Sequence, residues 1–386
     1  MSELQNVLMN INNDISNNLT PDVIKEGVTV FNITGIYSGS GGEDQIEYDM
    51  SLLTHNNMIP PLSYVITNVN GLNLSNTNSL SNTFCNLKNL KTVNLIKCSN
   101  INNVSDCFNG CNSLESVKFD NCSNITSGYR MFSYCSNLKN IEMPNANITN
   151  GYGMFSYCSN LNIKNINTIN IFNIPNTQYM FSYCNNLKSL DGSTFNSINT
   201  QYMFYFYNST EPLLNMTFSR TSNIVGMFYN VNTPYIENIN IIGATNAATI
   251  FKGCKFTKIV NLYIPNATNG ANMTYGCYNL LSVDNIYLPN VTQCYQMFLG
   301  AYEHLTDVAN LYIPKATNVM QMFAQCNNLT QSAICNIVRS LLNANVTTSR
   351  RNLKSSNSYS PFYITNFSNT MYEELWDDLT NAGWTY

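Results

Sequence analysis

Cysteines are the residues of this 386-residue chain best suited to chemistry, because thiols bind metals, form disulfides and act as nucleophiles. Thirteen are present, and seven of them stand three residues after a recurring anchor position, which is Phe in every copy except at Thr274: Cys111, Cys135, Cys158, Cys184, Cys254, Cys277 and Cys326. In other copies the same position holds Leu87, Tyr207, Val231 or Ala301. A position that accepts Ala, Val or Leu is a small apolar core position, so we predict reduced, buried thiols rather than disulfides. The pair Cys107 and Cys111 lacks the second pair and the His of a zinc site, and we predict no metal and no cofactor.

Histidines and carboxylates do not form a catalytic constellation in the sequence. The two histidines, His55 and His304, stand far apart, and no HExxH, GxSxG, GxGxxG or P-loop motif is present. Carboxylates such as Glu237, Asp284 and Asp307 are scattered, and nothing selects two of them as a glycosidase pair. We therefore predict that the chain is not an enzyme. A repeat-bearing glycan hydrolase remains the alternative if such a pair exists.

Aromatic residues form the one non-uniform pattern. Two residues after the recurring Phe, four consecutive copies carry Tyr134, Tyr157, Tyr183 and Phe206. Two or three residues before it, the same copies carry Tyr129, Tyr152, Tyr179 and Tyr202. Equivalent residues of stacked repeats lie about 4.8 Å apart, so we predict two parallel aromatic ladders. Two interpretations stay open: the ladders stiffen the scaffold, or these eight residues are a ligand-binding stripe for protein or sugar.

The repeat that carries these residues fills most of the chain. MFSYCSNL occurs at 131–138 and again at 154–161, and alignment on its Phe gives eleven anchor positions 23–26 residues apart. The anchors are Phe84, Phe108, Phe132, Phe155, Phe181, Phe204, Phe228, Phe251, Thr274, Phe298 and Phe323. Between anchors, alternating segments such as NLYIP predict a strand whose buried face holds Leu262/Ile264, Ile286/Leu288 and Leu311/Ile313. Pro265, Pro289 and Pro314 are expected to end those strands. We predict a short helical turn before each anchor.

The motif resembles a known repeat family. The spacing L-x-x-φ-x-φ, followed by P-x-(A/V)-T and then M-F-x-x-C-x-x-L, is similar to BspA-like leucine-rich repeats over roughly residues 80–330. Such repeats occur in bacterial surface proteins and in phage virion proteins. The resemblance implies an α/β leucine-rich-repeat solenoid of about eleven 23–26-residue repeats, with a short N-terminal helix/strand module and a helical C-terminal cap. The copies at Phe204 and Phe228 lack the Leu six residues after the anchor, so we expect an irregularity there.

The N-terminal segment is predicted to attach or oligomerise the chain. Leu4, Leu8, Ile11 and Ile15 form one helical stripe, too short to be stable alone. Thr20 and Pro21 predict the start of a second helix through Lys25, followed by a strand at 28–33 and a turn at Gly35. Residues 19–37 resemble a short module found near the ends of bacteriophage tail and fibre proteins, which implies docking to a virion.

The remaining organisation follows from the ends of the repeat. We predict a module at residues 1–40, with Ser38–Gly42 as a linker, a solenoid with a starting cap at 41–330 and a C-terminal cap at 331–386. Helices are expected at Ser332–Leu342 and Asn369–Asn381, the second stopped by Gly383.

Composition narrows the function. Charged residues make up 10% of the chain, the formal charge is −4 and no basic cluster exists, which argues against nucleic-acid binding. No secretory signal or membrane-spanning run is found, so we expect synthesis in the host cytoplasm and no membrane insertion. We predict a phage virion protein, a tail-fibre or baseplate receptor-binding component located in the phage tail. It would self-associate through its N-terminus, contact other virion proteins and bind a host cell-surface protein or glycan. A bacterial surface adhesin is the alternative.

Overall fold

The computed structural model describes residues 29–30, 33–35, 46–48, 68–74, 78–166, 169–185, 187, 190–301, 304–326, 328–344, 377 and 380–383. The chain forms two compact units, Met1–Asn170 (unit 1) and Ile171–Tyr386 (unit 2). Each unit contains its own sheet and is described by itself.

Unit 1 contains a seven-stranded sheet in chain order. Its strands are β1 Thr29–Val30, β2 Ile33–Gly35, β3 Ile46–Tyr48, β4 Asn68–Asn73, β5 Thr92–Ile96, β6 Ser116–Phe119 and β7 Asn140–Glu142. β1–β3 pair antiparallel, whereas β3–β7 pair parallel, one strand per turn of a β-solenoid. Short 3-10 helices follow at Cys98–Asn100 and Ile163–Ile166.

Unit 2 repeats the arrangement with a second parallel sheet. It begins with a 3-10 helix at Ile171–Asn173. Its strands are β8 Thr194–Phe195, β9 Leu213–Leu214, β10 Thr217–Phe218, β11 Ile236–Ile241, β12 Lys258–Tyr263, β13 Ser282–Tyr287 and β14 Asp307–Tyr312. The two-residue strands β8–β10 surround the irregular copy at Phe204, as expected. Helix α1, Gln331–Leu342, packs on β14, and Asn336 Nδ2 donates to the backbone oxygen of Val308 at 3.3 Å.

The anchor segments are turns rather than helices, so the predicted α/β class is wrong and the described fold is mostly β. Backbone N–H groups there bond to the next turn: Phe108 N donates to Met131 O at 2.9 Å and Gly110 N to Ser133 O at 2.8 Å. In addition, the residue two positions before each anchor has a positive φ in both units, as Asp106 does at 53°. A left-handed residue interrupts any right-handed helical run, so no α-helix forms at the anchors.

The core matches the repeat alignment. Every anchor Phe is 0–3% exposed, and neighbouring anchor rings stack at 5.2–5.8 Å in unit 1 and 4.9–5.7 Å in unit 2. The predicted buried strand faces are confirmed, since the following six side chains are at most 3% exposed: Leu262, Ile264, Ile286, Leu288, Leu311 and Ile313. The strands end two residues before the prolines, as predicted. The two buried residues of each strand align in register from β12 to β14.

Asparagine, about one residue in six, has a structural role in the strands of unit 2. Asn215, Asn238, Asn261 and Asn285 have φ of 52–55° and kink the chain at the same point of successive turns. Their side chains form an amide ladder: Asn238 Nδ2 donates to Asn215 Oδ1 at 2.6 Å, and the next two bonds measure 2.7 and 2.8 Å. Asn tolerates the left-handed region better than other non-glycine residues, which explains its recurrence at the kink. The side-chain hydrogen bonds of the ladder hold the kinks of successive turns together.

The terminal predictions have mixed outcomes. The predicted single strand at 28–33 is instead divided between β1 and β2, which pair antiparallel with Val30 opposite Ile33. Gly35 lies in β2 opposite Ile46, not in the predicted turn. The helix at 332–342 is confirmed, with Thr330 Oγ1 accepting from Ala333 N as N-cap. The helices at 3–18 and 20–25, the linker and most of the helix at 369–381 lie outside the described residues.

Candidate ligand-binding surfaces

The aromatic residues two positions after the anchor adopt a backbone conformation that aromatic residues rarely adopt. φ is 62–63° at Tyr134 and Tyr157 and 53–55° at Tyr183 and Phe206. In other turns this plus-two position holds Gly, Asn or Gln, also at positive φ: Asn86, Gly110, Asn230, Gly253, Gly276, Gly300 and Gln325. The left-handed region costs an L-residue about 1–2 kcal/mol relative to Gly. Four aromatic residues therefore occupy a position whose backbone favours glycine.

Stacking offsets part of that cost within each unit. In unit 1 the rings of Tyr134 and Tyr157 stack with centroids 4.2 Å apart and planes 12° apart. In unit 2 the rings of Tyr183 and Phe206 stack at 5.1 Å and 2°. Stacked aromatic pairs are worth about 0.5–1.5 kcal/mol beyond the area they bury. We name these pairs the plus-two column of each unit. Tyr134 and Phe206 are its more exposed members, at 43% and 39%.

The aromatic residues before the anchor stack in one pair within each unit. Tyr129 and Tyr152 stand three positions before their anchors and stack at 5.1 Å. Tyr179 and Tyr202 stand two positions before theirs, have positive φ of 56° and 53°, and also stack at 5.1 Å. A one-residue difference in spacing places the two pairs at different positions of the turn. Taken unit by unit, the residues of the second predicted ladder form a minus-three pair in unit 1 and a minus-two pair in unit 2.

In unit 1 an ion pair fills the minus-two position beside the tyrosines. Arg130 Nε lies 3.3 Å from Asp106 Oδ1, and the same carboxylate oxygen accepts from Asn109 Nδ2 at 2.7 Å. The Arg130 guanidinium also lies 6.0 Å from the ring centroid of Tyr129. Burial lowers the pKa of Arg130, but Asp106, Tyr129 and Tyr134 together outweigh it and hold that pKa above its ordinary value. Burial, with Tyr129 nearby, raises the pKa of Tyr152, so this surface holds one fixed cation and a neutral phenol near pH 7.

In unit 2 a further ring joins the two columns. Tyr205 stands one position after its anchor and makes ring contacts at 4.7–6.1 Å with five aromatic residues: Tyr179, Tyr183, Tyr202, Phe206 and Tyr229. The equivalent position in the MFSYC copies of unit 1 is Ser133 or Ser156, both buried. Lys252 Nζ extends the unit 2 cluster, lying 5.6 Å from the ring centroid of Tyr229 and 5.5 Å from that of Tyr275.

A third aromatic column, on the outer face of the unit 2 sheet, was missed from the sequence. Tyr263, Tyr287 and Tyr312 end β12, β13 and β14 and stack at 5.0 and 4.9 Å, with exposures of 39%, 39% and 47%. The recurring Tyr-Ile/Leu-Pro triplet that ends these strands was a readable signal for it.

The cysteines are core residues, as predicted. All thirteen are free, and all but Cys85 are buried. The thiol of Cys135 donates to the backbone oxygen of Phe108 at 3.1 Å, and Cys158 donates equally to Phe132. Burial raises the pKa of the Cys111 thiol to about 12. The thiols therefore satisfy an anchor carbonyl of the preceding turn.

The described residues contain neither a metal-binding group of three or more His, Cys, Asp or Glu nor a helix able to span a membrane. His304 is exposed, and Asp284 accepts a hydrogen bond from Asn310 Nδ2 at 3.1 Å. His55 and the attachment stripe lie outside the described part of the chain; the stripe is Leu4, Leu8, Ile11 and Ile15.

Fold and surface together define a repeat protein built as β-solenoid units that display aromatic columns. Residues 64–188 and 105–237 match the family model described as BspA type leucine rich repeat region (6 copies). Residues 245–359 match a model described as Mycoplasma protein of unknown function, DUF285. No curated protein and no solved structure matches the chain. The chain thus contains BspA-type leucine-rich repeats, as its motif predicted, and neither family match indicates a phage tail or fibre module.

Proposed function

We propose that the chain is a non-enzymatic attachment protein that binds a cell surface through the plus-two columns of its repeat units. The observation that carries the proposal is the backbone of the plus-two position. Seven turns place Gly, Asn or Gln there at positive φ, whereas four consecutive turns place Tyr or Phe at the same φ. A costly residue type that recurs at one surface position supports a role beyond folding.

The surface chemistry supports the same function. Tyr presents a flat apolar ring with a polar tip, and such residues are enriched at binding sites. The chain as a whole carries few charges, 10% of its residues, and in unit 1 the charges of Asp106 and Arg130 are paired with each other. The BspA-type repeats fit this proposal, because such repeats occur in bacterial surface proteins.

The biological setting has two candidates. A phage tail-fibre or baseplate protein is supported by the resemblance of residues 19–37 to tail modules. A bacterial surface adhesin is supported by the repeat family. Antibody detection would separate them: labelling of intact producing cells supports the adhesin, and labelling of particles sedimented after lysis supports the virion protein.

The binding function is tested with fluorescently labelled full-length protein on a panel of bacterial and animal epithelial cells. We expect the double variant Tyr134→Asn/Tyr157→Asn to reduce binding at least tenfold, because Asn fills the plus-two position in other turns without changing the fold. Tyr287→Ala is the matched control, since it removes an exposed, stacked tyrosine from the third aromatic column, at the ends of β12–β14. Equal binding by the double variant and the wild type would contradict the proposal.

A further inference from the structure

At one end of the unit 1 plus-two column, the Tyr134 ring faces a turn that carries glycine at the plus-two position. Backbone hydrogen bonds between turns order the plus-two positions of unit 1 as Asn86, Gly110, Tyr134 and Tyr157. Gly110 N donates to Ser133 O, and Tyr134 N donates to Ser156 O, each at 2.8 Å. Tyr157 stacks on one face of Tyr134. The other face points to the turn of Gly110, which has φ of 79° and no side chain. Tyr134 is accordingly 43% exposed.

Polar groups border this open face. A Cβ at Gly110 would clash with Asn86 Oδ1, so the Asn86 amide lies over the glycine. In the same two turns Asn109 Nδ2 donates to Asp106, which also pairs with Arg130 at 3.3 Å. The border thus offers amide, carboxylate and guanidinium groups with no net charge from the ion pair.

We propose a subsite for one neutral pyranose ring of a glycan at the face of Tyr134 that points to Gly110. The backbone at Gly110, which we call the Gly110 step, forms its floor, and the side chains of Asn86, Asp106 and Arg130 form its border. A pyranose has a flat C–H face that packs on an aromatic ring, and vicinal hydroxyls on its edge that pair with planar polar groups. Few, fixed polar groups around an apolar platform are the usual composition of small-ligand sites. The inference rests on the proposed attachment function and names its ligand class.

The plus-two column of unit 2 serves as the internal comparison. Phe206 in unit 2 has no hydroxyl, is followed in its column by Asn230 rather than glycine, and contacts the Tyr205 ring at 4.7 Å. The Tyr205 ring thus packs against Phe206 and no glycine follows it in the column, so we infer no pyranose subsite there.

The subsite is tested on a printed array of bacterial and mammalian glycans with the full-length protein. We expect at least one neutral glycan to bind, and Tyr134→Asn and Gly110→Asn each to weaken it at least tenfold, with Phe206→Asn within twofold of wild type. Gly110→Asn keeps Tyr134, displaces the Asn86 amide and places a side chain beside the ring, using a residue type that the neighbouring turn already carries at positive φ. Absence of glycan binding, or equal loss in all three variants, would overturn the subsite.

Periodate treatment of cells separates this inference from the proposed function, because periodate cleaves vicinal diols. Loss of wild-type binding to treated cells, with retention on mock-treated cells, is the expected result. Binding that survives periodate yet is lost in Tyr134→Asn overturns the glycan assignment in favour of a protein receptor and leaves the attachment function standing. Binding to neither treated nor untreated cells overturns both.

Discussion

The aromatic surfaces of the two units come from nearly the same motif but differ in what surrounds the rings. In unit 1 the position after the anchor is Ser133 or Ser156, and the charged pair Asp106–Arg130 lies beside the tyrosines. In unit 2 that position in the Phe204 copy is Tyr205, whose ring contacts five others. The unit 2 rings therefore pack mainly on one another, whereas Tyr134 in unit 1 keeps a face toward solvent.

The comparison indicates that the residue directly after the anchor decides whether the aromatic rings pack on one another or stay exposed to solvent. A serine there leaves the two aromatic pairs separate, and a tyrosine joins them into a cluster. We therefore propose that the two interpretations of the aromatic residues, stiffening and binding, apply to different parts of the chain. We assign packing chiefly to unit 2 and binding chiefly to unit 1.

The largest effect is expected from Tyr205→Ser, which gives unit 2 the residue found in unit 1. Loss of several ring contacts, each worth about 0.5–1.5 kcal/mol, should lower the free energy of unfolding by about 2–3 kcal/mol in urea titrations. Ser133→Ala at the equivalent position should change it by less than about 0.5 kcal/mol. A smaller loss of stability in Tyr205→Ser than in Ser133→Ala would contradict the assignment of packing to unit 2.

A second prediction contrasts the backbones of two exposed tyrosines. Tyr287→Gly should cost about 1–2 kcal/mol, because a strand glycine and a lost stacking contact both destabilise. Tyr134→Gly should be close to neutral, because relief of the left-handed backbone, about 1–2 kcal/mol, offsets the lost stack with Tyr157. Thermal melts of the two variants side by side provide the measurement, and a lower melting temperature for Tyr134→Gly than for Tyr287→Gly would contradict it.

The smallest effect concerns alkaline pH. Burial, together with neighbouring tyrosines, raises the pKa of Tyr152 in unit 1 and of Tyr205 in unit 2. A raised folded-state pKa means that these phenols favour folding fully below pH 10 and less as pH rises through their folded pKa. Tyr152→Phe and Tyr205→Phe should each flatten the loss of stability above pH 10. The core residue Tyr207, with a pKa of about 12, supplies the same alkaline background in both variants.

An unchanged alkaline slope in both phenylalanine variants would show that neither phenol is held neutral by its column. A flatter alkaline slope in Tyr205→Phe alone would show that only unit 2 holds a desolvated phenol, which would strengthen the contrast between the two units.

Much of the scaffold could be predicted because the repeat reports its own core. The anchor rings, the cysteine position and the strand faces recur at fixed spacing, and α1 has both an N-cap at Thr330 and an apolar stripe. The turn conformation could not be obtained from hydrophobic spacing, because it depends on φ at the minus-two and plus-two positions. The alternation of Gly110 with Tyr134 at one position was the available signal for a left-handed backbone.

The site was predicted as residues but not as surfaces. All eight aromatic residues lie in stacked pairs, yet Tyr129 and Tyr179 belong to different columns because their distance to the anchor differs by one residue. The role of Tyr205 depends on ring contacts across turns, which one sequence does not reveal. The Asp106–Arg130 pair joins residues 24 positions apart and becomes adjacent only through the register of the solenoid.

The central claim, that unit 1 displays its aromatic column for binding whereas unit 2 packs its own, is tested most directly by paired measurements on Tyr134→Asn and Phe206→Asn. Cell-binding affinity and urea unfolding are measured on the same preparations of full-length protein. We predict that Tyr134→Asn weakens binding at least tenfold with stability unchanged within about 0.5 kcal/mol, and that Phe206→Asn retains binding but loses about 1 kcal/mol. The reverse pattern, with binding lost in Phe206→Asn and retained in Tyr134→Asn, would contradict the account.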